Sequence, residues 1–477
     1  MKVLLIKPWA MVPTYFPPLG LAYIGAVLEK AGHSVKILDL TIEGMAPNKF
    51  RPYLLEHKPD VVGITCMVTE FNEASKTSSI CKEVAPRVPV IVGGPLPSAL
   101  PRSFLAQPSI DIVVRGEAEA TITELLRRLE SGTSLADVPG VGYKDNGEMR
   151  VNPAGPPILD MDTIPFPARH LLPMERYFSS FENWFGRGYG IKGTNMFSSR
   201  GCPYSCIYCD KNVFGAKWRG RSAGNIMAEI EILVREYGVN GILFSDDMFD
   251  LYPARVYQIC DEIKSRGLDI VWGINSRVNH ADEEMYRRMK ESGCQCVAFG
   301  IESGNQNTLD FMRKKITLQQ ITEAIDIANR AGLKTVGYFM IGMLGENRDT
   351  IKQTVKFARG LGLDSGGFSR VVPYPGTTLY RLVEEQGFIR SADTAAVREE
   401  TGAGVSLTPD FTPAQLDRIV EKAYWQFFWS RPSRKLPGLV CSFISALFPI
   451  AYALSLRKMN LFIHLNRLRE ALRLPLP

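Results

Sequence analysis

Two stretches of this chain alternate short apolar runs with amphipathic helical patterns, and that alternation constrains the fold more than any other feature. In the first, Val3–Ile6, Val35–Asp39, Val61–Thr65, Val88–Val92 and Ile110–Val114 have strand length and composition, with helical periodicity between them near 18–31, 70–86 and 118–131. Parallel neighbours need helical crossovers, so this pattern predicts an α/β domain with a doubly wound, Rossmann-like sheet. In the second, Asn195–Ser199, Gly241–Ser245, Ile270–Asn275, Cys296–Gly300, Thr335–Ile341 and Gly367–Val371 alternate with helices near 224–237, 253–266, 281–292, 318–331, 348–361 and 376–387. Six strand–helix units are two short of the eight that close a barrel. A chain of 477 residues has room for two or three domains.

The loops after the strands of the first region are small or proline-rich: Pro8 to Pro18, Thr65-Cys66-Met67, Gly93-Gly94-Pro95 and Arg115-Gly116-Glu117. Ligands of open α/β sheets bind at the carboxyl ends of strands, where small residues let a flat ligand approach the backbone. Val138 to Tyr143 with Asp145-Asn146-Gly147 predicts a hairpin, Asn-Gly being a turn signal. Residues 152–174 carry Pro153, Pro156, Pro157, Pro165, Pro167 and Pro173 and read as an extended connector.

After the first strand of the second region comes Ser199-Arg200-Gly201-Cys202-Pro203-Tyr204-Ser205-Cys206-Ile207-Tyr208-Cys209. Three thiols crowd a loop opened by Gly201 and Pro203. Thiolates hold iron–sulfur clusters, and a cubane takes four ligands, so three would leave one iron open. Zinc sites show paired Cys-x2-Cys or Cys/His halves, and none of the five histidines is near this loop. The Cys-x3-Cys-x2-Cys spacing, with Tyr208 before the last cysteine, resembles the signature of the radical S-adenosylmethionine enzymes. The resemblance implies a six-stranded partial (β/α) barrel and a 4Fe-4S cluster on Cys202, Cys206 and Cys209. It further implies that S-adenosylmethionine chelates the open iron and is cleaved there to a 5′-deoxyadenosyl radical.

In the same light Pro17-Pro18-Leu19-Gly20, Gly93-Gly94-Pro95 and Val114-Arg115-Gly116-Glu117 resemble the cobalamin-binding domain that precedes many such barrels. That resemblance implies cobalamin against Pro18, Thr65, Gly93, Gly94, Gly116 and Glu117. The Asp-x-His-x-x-Gly motif that ligates cobalt elsewhere is absent: His33, His57 and His170 lack that context, and Leu96 stands where this subclass often has histidine. For S-adenosylmethionine the resemblance points to Tyr208, to Asp246 or Asp247, to Arg277, to Glu302 and to Gly342, all at strand ends. One of Asp246, Asp247 and Asp250 is expected to cap the following helix instead. Cys294-Gln295-Cys296 reads as core packing.

The organisation expected is therefore 1–135 cobalamin-binding domain, 136–190 hairpin and linker, 191–390 partial barrel, and 391–477 helical region. Thr412 to Trp429 reads as an aromatic-rich amphipathic helix. An uncharged stretch from Leu436 to Leu456 follows, flanked by Arg431, Arg434, Lys435, Arg457 and Lys458. Its length reaches across a bilayer core of about 30 Å if helical, but Pro437, Gly438 and Pro449 argue against one straight span. Two readings stand: peripheral membrane association through 431–475, or a buried cap on the barrel. The amino terminus is too soon broken by Pro8 for a signal peptide. A redox cluster fits a reducing compartment, so a cytoplasmic enzyme is expected, at the inner face of the membrane if the tail anchors it. A net charge of +6 does not ask for nucleic acid. The expected function is methyl transfer to an unactivated carbon of a hydrophobic small molecule, for which the resemblance and the tail suggest a hopanoid or other isoprenoid. A low-potential donor such as flavodoxin or ferredoxin would supply the electron. The alternatives are a radical oxidative cyclase or lipid-coupling enzyme of tetrapyrrole or isoprenoid substrates, and an iron–sulfur electron carrier.

Overall fold

The computed structural model describes residues 1–10, 16–178, 191–388 and 406–430. The amino-terminal sheet has five parallel strands, β1 (Lys2–Lys7), β2 (Ser34–Asp39), β3 (Val61–Thr65), β4 (Val90–Gly93) and β5 (Ile112–Val114). Their order is β2-β1-β3-β4-β5, and the antiparallel hairpin β6 (Val141–Asp145) and β7 (Glu148–Val151) extends the far edge. The hairpin that the sequence placed in the connector thus belongs to this sheet. Helices Leu19–Lys30, Phe71–Val84 and Glu119–Ser131 cover it, as does Pro47–His57, which the periodicity missed because Pro52 interrupts it. The expected doubly wound fold is the one observed.

The second sheet is parallel throughout. It runs β8 (Gly193–Met196), β11 (Gly241–Phe244), β12 (Val271–Ser276), β13 (Cys294–Glu302), β14 (Lys334–Ile341) and β15 (Ser365–Arg370), in the order β15-β14-β13-β12-β11-β8. Between β8 and β11 a short antiparallel pair, β9 (Ser199–Arg200) and β10 (Arg219–Gly220), forms the neck of the cysteine loop. Helices Ala223–Tyr237, Pro253–Ser265, Glu283–Glu291, Leu318–Arg330, Arg348–Gly360 and Thr378–Glu385 follow the strands in turn. Trp272, Phe244, Phe249 and Phe299 fill the interior. Cys294 and Cys296 are buried on β13, as core packing requires. Helix Pro413–Trp429, capped by Thr412 and Gln415, packs on β15 through Phe427. The apolar stretch 436–456 lies outside the described residues. Among the described residues no helix is long and apolar enough to cross a membrane.

Between the sheets the connector is tied down by charge. Arg169 Nη2 donates to Glu229 Oε1 (2.8 Å) and to the Asn195 carbonyl (2.9 Å), while Arg221 holds the other Glu229 oxygen and the Phe197 carbonyl. All three charged side chains are buried. Burial alone would raise the Glu229 carboxyl; Arg221 and Arg169 outweigh it and hold the group below the usual range.

Candidate functional site

Local sequence explains how the cysteine loop is held. Gly201 has a φ of +83°, and a Cβ there would lie 2.3 Å from the Lys217 carbonyl oxygen, so only glycine fits between Arg200 and Cys202. Lys211 closes the loop from below, its Nζ donating to the Cys202 carbonyl (2.9 Å) and to that of Tyr204. The neighbouring Cys209 thiol, then Lys314 and Arg277, lowers the Cys206 thiol to about 5 against its burial, and the Cys209 thiol is correspondingly raised. Cys202 is raised chiefly by burial and bonds the Tyr204 amide. Among the described residues no three acidic, cysteine or histidine side chains stand ready around one point; the structure gathers two of the three thiols and keeps the third in the same loop. All three are free thiols, a soft donor set that suits an iron–sulfur cluster.

Around that loop lie the strand ends. Arg277, at the end of β12, stacks over Tyr204 (3.7 Å to the ring centroid), donates to Cys206 Sγ (3.4 Å) and holds the Lys314 carbonyl. It therefore braces the cysteine loop, where a ribose or carboxylate contact was expected. Glu302, at the end of β13, has the left-handed φ of +68°. Its Oε1 accepts from Lys314 Nζ (2.8 Å) and Tyr208 Oη (3.0 Å), and Lys314 also reaches the Tyr208 hydroxyl (3.2 Å). Lys314 was not singled out from the sequence. Asp246 is buried and accepts from the Ser198 amide (2.6 Å), the Ser198 hydroxyl and the Ser199 hydroxyl (2.7 Å), so it shapes the turn before the cysteines. Asp247 lies beside it at the open surface of the mouth and bonds the Gly201 amide. Desolvation, then the Asp246 charge, raises its carboxyl. Neither caps a helix: Pro253–Ser265 starts without a side-chain cap, and Asp250 is buried instead against Ser276. Gly342 (φ +91°) gives its amide to Glu346 Oε2 (2.8 Å) and sits under Leu416 of the last helix.

In the first domain Thr65 and Gly93 end β3 and β4, Gly94 and Gly116 follow β4 and β5, and Pro18 stands before the first helix. Gly94 (φ +105°) brings the ends of β3 and β4 so close that a Cβ would stand 3.0 Å from Thr65 Oγ1 and 3.1 Å from the Cys66 carbonyl oxygen. Met67 is 49 % exposed on that edge, a flat backbone ledge with an apolar side chain that suits a macrocycle. The four described histidines are engaged elsewhere: His33 pairs with Glu130, His57 stacks on Tyr53, His170 pairs with Glu29 and His280 bonds the Tyr204 hydroxyl. Glu117 departs from the expectation. Its side chain is 4 % exposed and is taken up by Arg200 (2.8 Å) and Arg219 (2.5 Å) of the cysteine-loop neck. Glu119 takes the other Arg200 nitrogen at 2.6 Å. The loops beyond the carboxyl ends of the two sheets thus meet, and a Cβ on Gly376 after β15 would run into both Asn212 and Ala99.

This geometry agrees with comparison to known proteins. Residues 196–358 match the Radical SAM superfamily and residues 9–126 a B12 binding domain. An uncharacterized methyltransferase of Pyrococcus horikoshii is 36% identical over 90% of this chain and 92% of its own length. An anaerobic magnesium-protoporphyrin IX monomethyl ester cyclase of Rubrivivax gelatinosus is 29% identical over 80% of this chain and 70% of its own. A cytidylyl-2-hydroxyethylphosphonate methyltransferase of Streptomyces wedmorensis is 30% identical over 81% of this chain and 82% of its own, and a hopanoid C-3 methylase of Methylococcus capsulatus 27% identical over 81% and 73%. Among solved structures, the radical S-adenosylmethionine methyltransferase TsrM from Kitasatospora setae, with cobalamin and a [4Fe-4S] cluster bound, superposes with a TM-score of 0.72. It is 19% identical and covers 91% of this chain and 90% of its own. The chain belongs to the radical S-adenosylmethionine superfamily of enzymes, in the branch with a B12-binding domain ahead of the barrel. The cofactors expected from the sequence, a 4Fe-4S cluster, S-adenosylmethionine and cobalamin, are those of its two families.

Proposed function

We propose that this enzyme is a cobalamin-dependent radical methyltransferase that places a methyl group on an unactivated carbon of a hydrophobic substrate, an isoprenoid lipid such as a hopanoid. The observation that carries the methyltransferase reading is the meeting of the two carboxyl edges. Glu117, beyond the sheet edge that carries Thr65, Gly93 and Gly94, is paired with Arg200 and Arg219 at the neck of the loop that carries Cys202, Cys206 and Cys209, which supports one site shared by the two cofactors. When bound, the cluster and S-adenosylmethionine supply a hydrogen-abstracting radical and cobalamin supplies the methyl group. The chain's part is to hold them. Cys202, Cys206 and Cys209 would hold the cluster, and Asp247, Glu302 and Lys314 would face S-adenosylmethionine at the open iron.

The lipid reading rests on the sequence from Leu436 to Leu456 with its flanking basic residues, and on the relative named as a hopanoid methylase. The phosphonate and porphyrin enzymes among the relatives show that family names alone do not fix it. In this reading 431–475 associates with the inner face of the membrane, and flavodoxin or ferredoxin delivers the electron. The test is incubation of the reduced, reconstituted enzyme with S-adenosylmethionine bearing a deuterated methyl group and with lipid extracts. Appearance of the labelled methyl in a neutral lipid supports the proposal. Label only in water-soluble products refutes the lipid part. A product that has lost hydrogens and gained no carbon refutes methylation and favours the cyclase reading, which rests on the cyclase relative.

A further inference from the structure

The buried ion cluster between the domains has no part in the chemistry outlined above. Arg200 and Arg219 are cross-strand partners on β9 and β10, so two guanidiniums lie side by side at the neck of the cysteine loop. Like charges directly opposite in a ladder repel, and here both are withdrawn from water, with side-chain exposures of 2 %. The counter-charge comes from the other domain. Glu117 gives one carboxylate oxygen to each arginine, and Glu119 takes Arg200 Nη2. Arg200 also stacks on Tyr23 of the first domain (5.1 Å) and on Phe214 of its own loop (5.0 Å). Arg219 further ties the connector through the Ile158 carbonyl (2.7 Å) and the loop through that of Phe214 (2.8 Å). Glu117 follows Gly116, whose φ of +73° ends the run after β5. Arg200 is two residues before Cys202.

We infer that Glu117 is a positioning residue. Through Arg200 and Arg219 it locks the cluster-bearing hairpin to the carboxyl edge of the B12-binding domain, and so sets the separation of the two cofactors. The inference deepens the function proposed above and rests on it for the cofactors, but the lock itself is a property of the chain.

The experiment compares the full-length enzyme with Glu117→Gln, Glu117→Asp and Glu119→Gln. Amide hydrogen exchange over 199–220 is measured without cofactors. The magnetic coupling between reduced cluster and cob(II)alamin is measured after reconstitution. Glu117→Gln is expected to speed exchange in 199–220 at least about tenfold, equivalent to ~1.4 kcal/mol of opening free energy. It should also broaden the distribution of cluster–cobalt couplings, while Glu117→Asp restores part of both. If Glu117→Gln does not fold, Glu119→Gln, which removes one of the three ion pairs, is expected to show the same changes at smaller size. Wild-type exchange and a wild-type coupling in the folded variants overturn the inference. An enzyme that takes up no cobalamin overturns the proposed function instead, and leaves the exchange comparison to decide on the lock.

Discussion

Substituting Glu229 tests how the connector holds the first barrel strand. Its carboxylate is bonded to Arg169 and Arg221, both buried, and Arg169 also grips the carbonyl of Asn195 on β8, the strand that leads to the cysteines. At 2.8 Å to Arg169 and 2.5 Å to Arg221 and an effective dielectric near 20, the pairs are attracted by about 6–7 kcal/mol each before desolvation is subtracted. Removing one partner of a buried pair costs about 3–5 kcal/mol, because the other charge stays buried. Glu229→Gln keeps the volume, removes the charge, and leaves two guanidiniums facing an amide. A loss of about 3–5 kcal/mol is expected, which at a urea m-value of about 3 kcal/mol/M moves the barrel's midpoint down by roughly 1–1.7 M. The pH dependence has a definite sign. The folded-state pKa of Glu229 is depressed, so its contribution is present above the unfolded carboxylate value near 4.3 and is lost as pH falls through the folded value. The gap between wild type and variant should therefore be full at neutral pH and close in acid. A loss under about 1 kcal/mol, or a gap indifferent to acid, would refute the reasoning.

Other expectations follow from single groups. Burial raises the Asp250 carboxyl to about 7, against the Ser276 bond, and its Oδ1 has no partner among the described residues. A raised carboxyl weakens the fold as pH climbs from about 4 to 7, so Asp250→Asn should gain stability over wild type at pH 8, by up to ~4 kcal/mol, and much less at pH 5. A thermal-unfolding series with equal gains at both pH values contradicts this. Gly201→Ala meets the Lys217 carbonyl at 2.3 Å with a φ of +83° and should prevent cluster assembly, read as iron content, while the first domain stays folded by circular dichroism. Lys314→Met strands the Glu302 carboxylate. It is expected to weaken S-adenosylmethionine binding at least about tenfold, or ~1.4 kcal/mol, by calorimetry on the reconstituted enzyme.

Much of this was legible in the sequence because it is local. β3 falls on Val61–Thr65 as read, and the barrel helices lie within a few residues of their periodicity, since amphipathic patterns report burial directly. The cysteine spacing, likewise, is carried within one loop. What stayed hidden depends on contacts distant in the chain. Glu117 reads as a strand-end ligand contact, and only the fold brings Arg200 and Arg219 to it. Lys314 lies in a run of three basic residues, and only β13 delivers Glu302 to it. Arg277 sits at a strand end as expected, but the Tyr204 ring and the Cys206 thiol claim its guanidinium first. Helix Pro47–His57 was missed because Pro52 breaks the pattern, although the chain accommodates it there.

Under the proposed function the methyl that cobalamin delivers would come from one S-adenosylmethionine and the radical from a second, so each methylation would consume two. The most direct test is to quantify S-adenosylhomocysteine and 5′-deoxyadenosine together in single-batch turnovers of the reduced, cobalamin-loaded enzyme, with the Cys206→Ser variant beside it. The account predicts one of each per methylated product and neither product nor 5′-deoxyadenosine from the variant. Product formed with 5′-deoxyadenosine but without S-adenosylhomocysteine contradicts it.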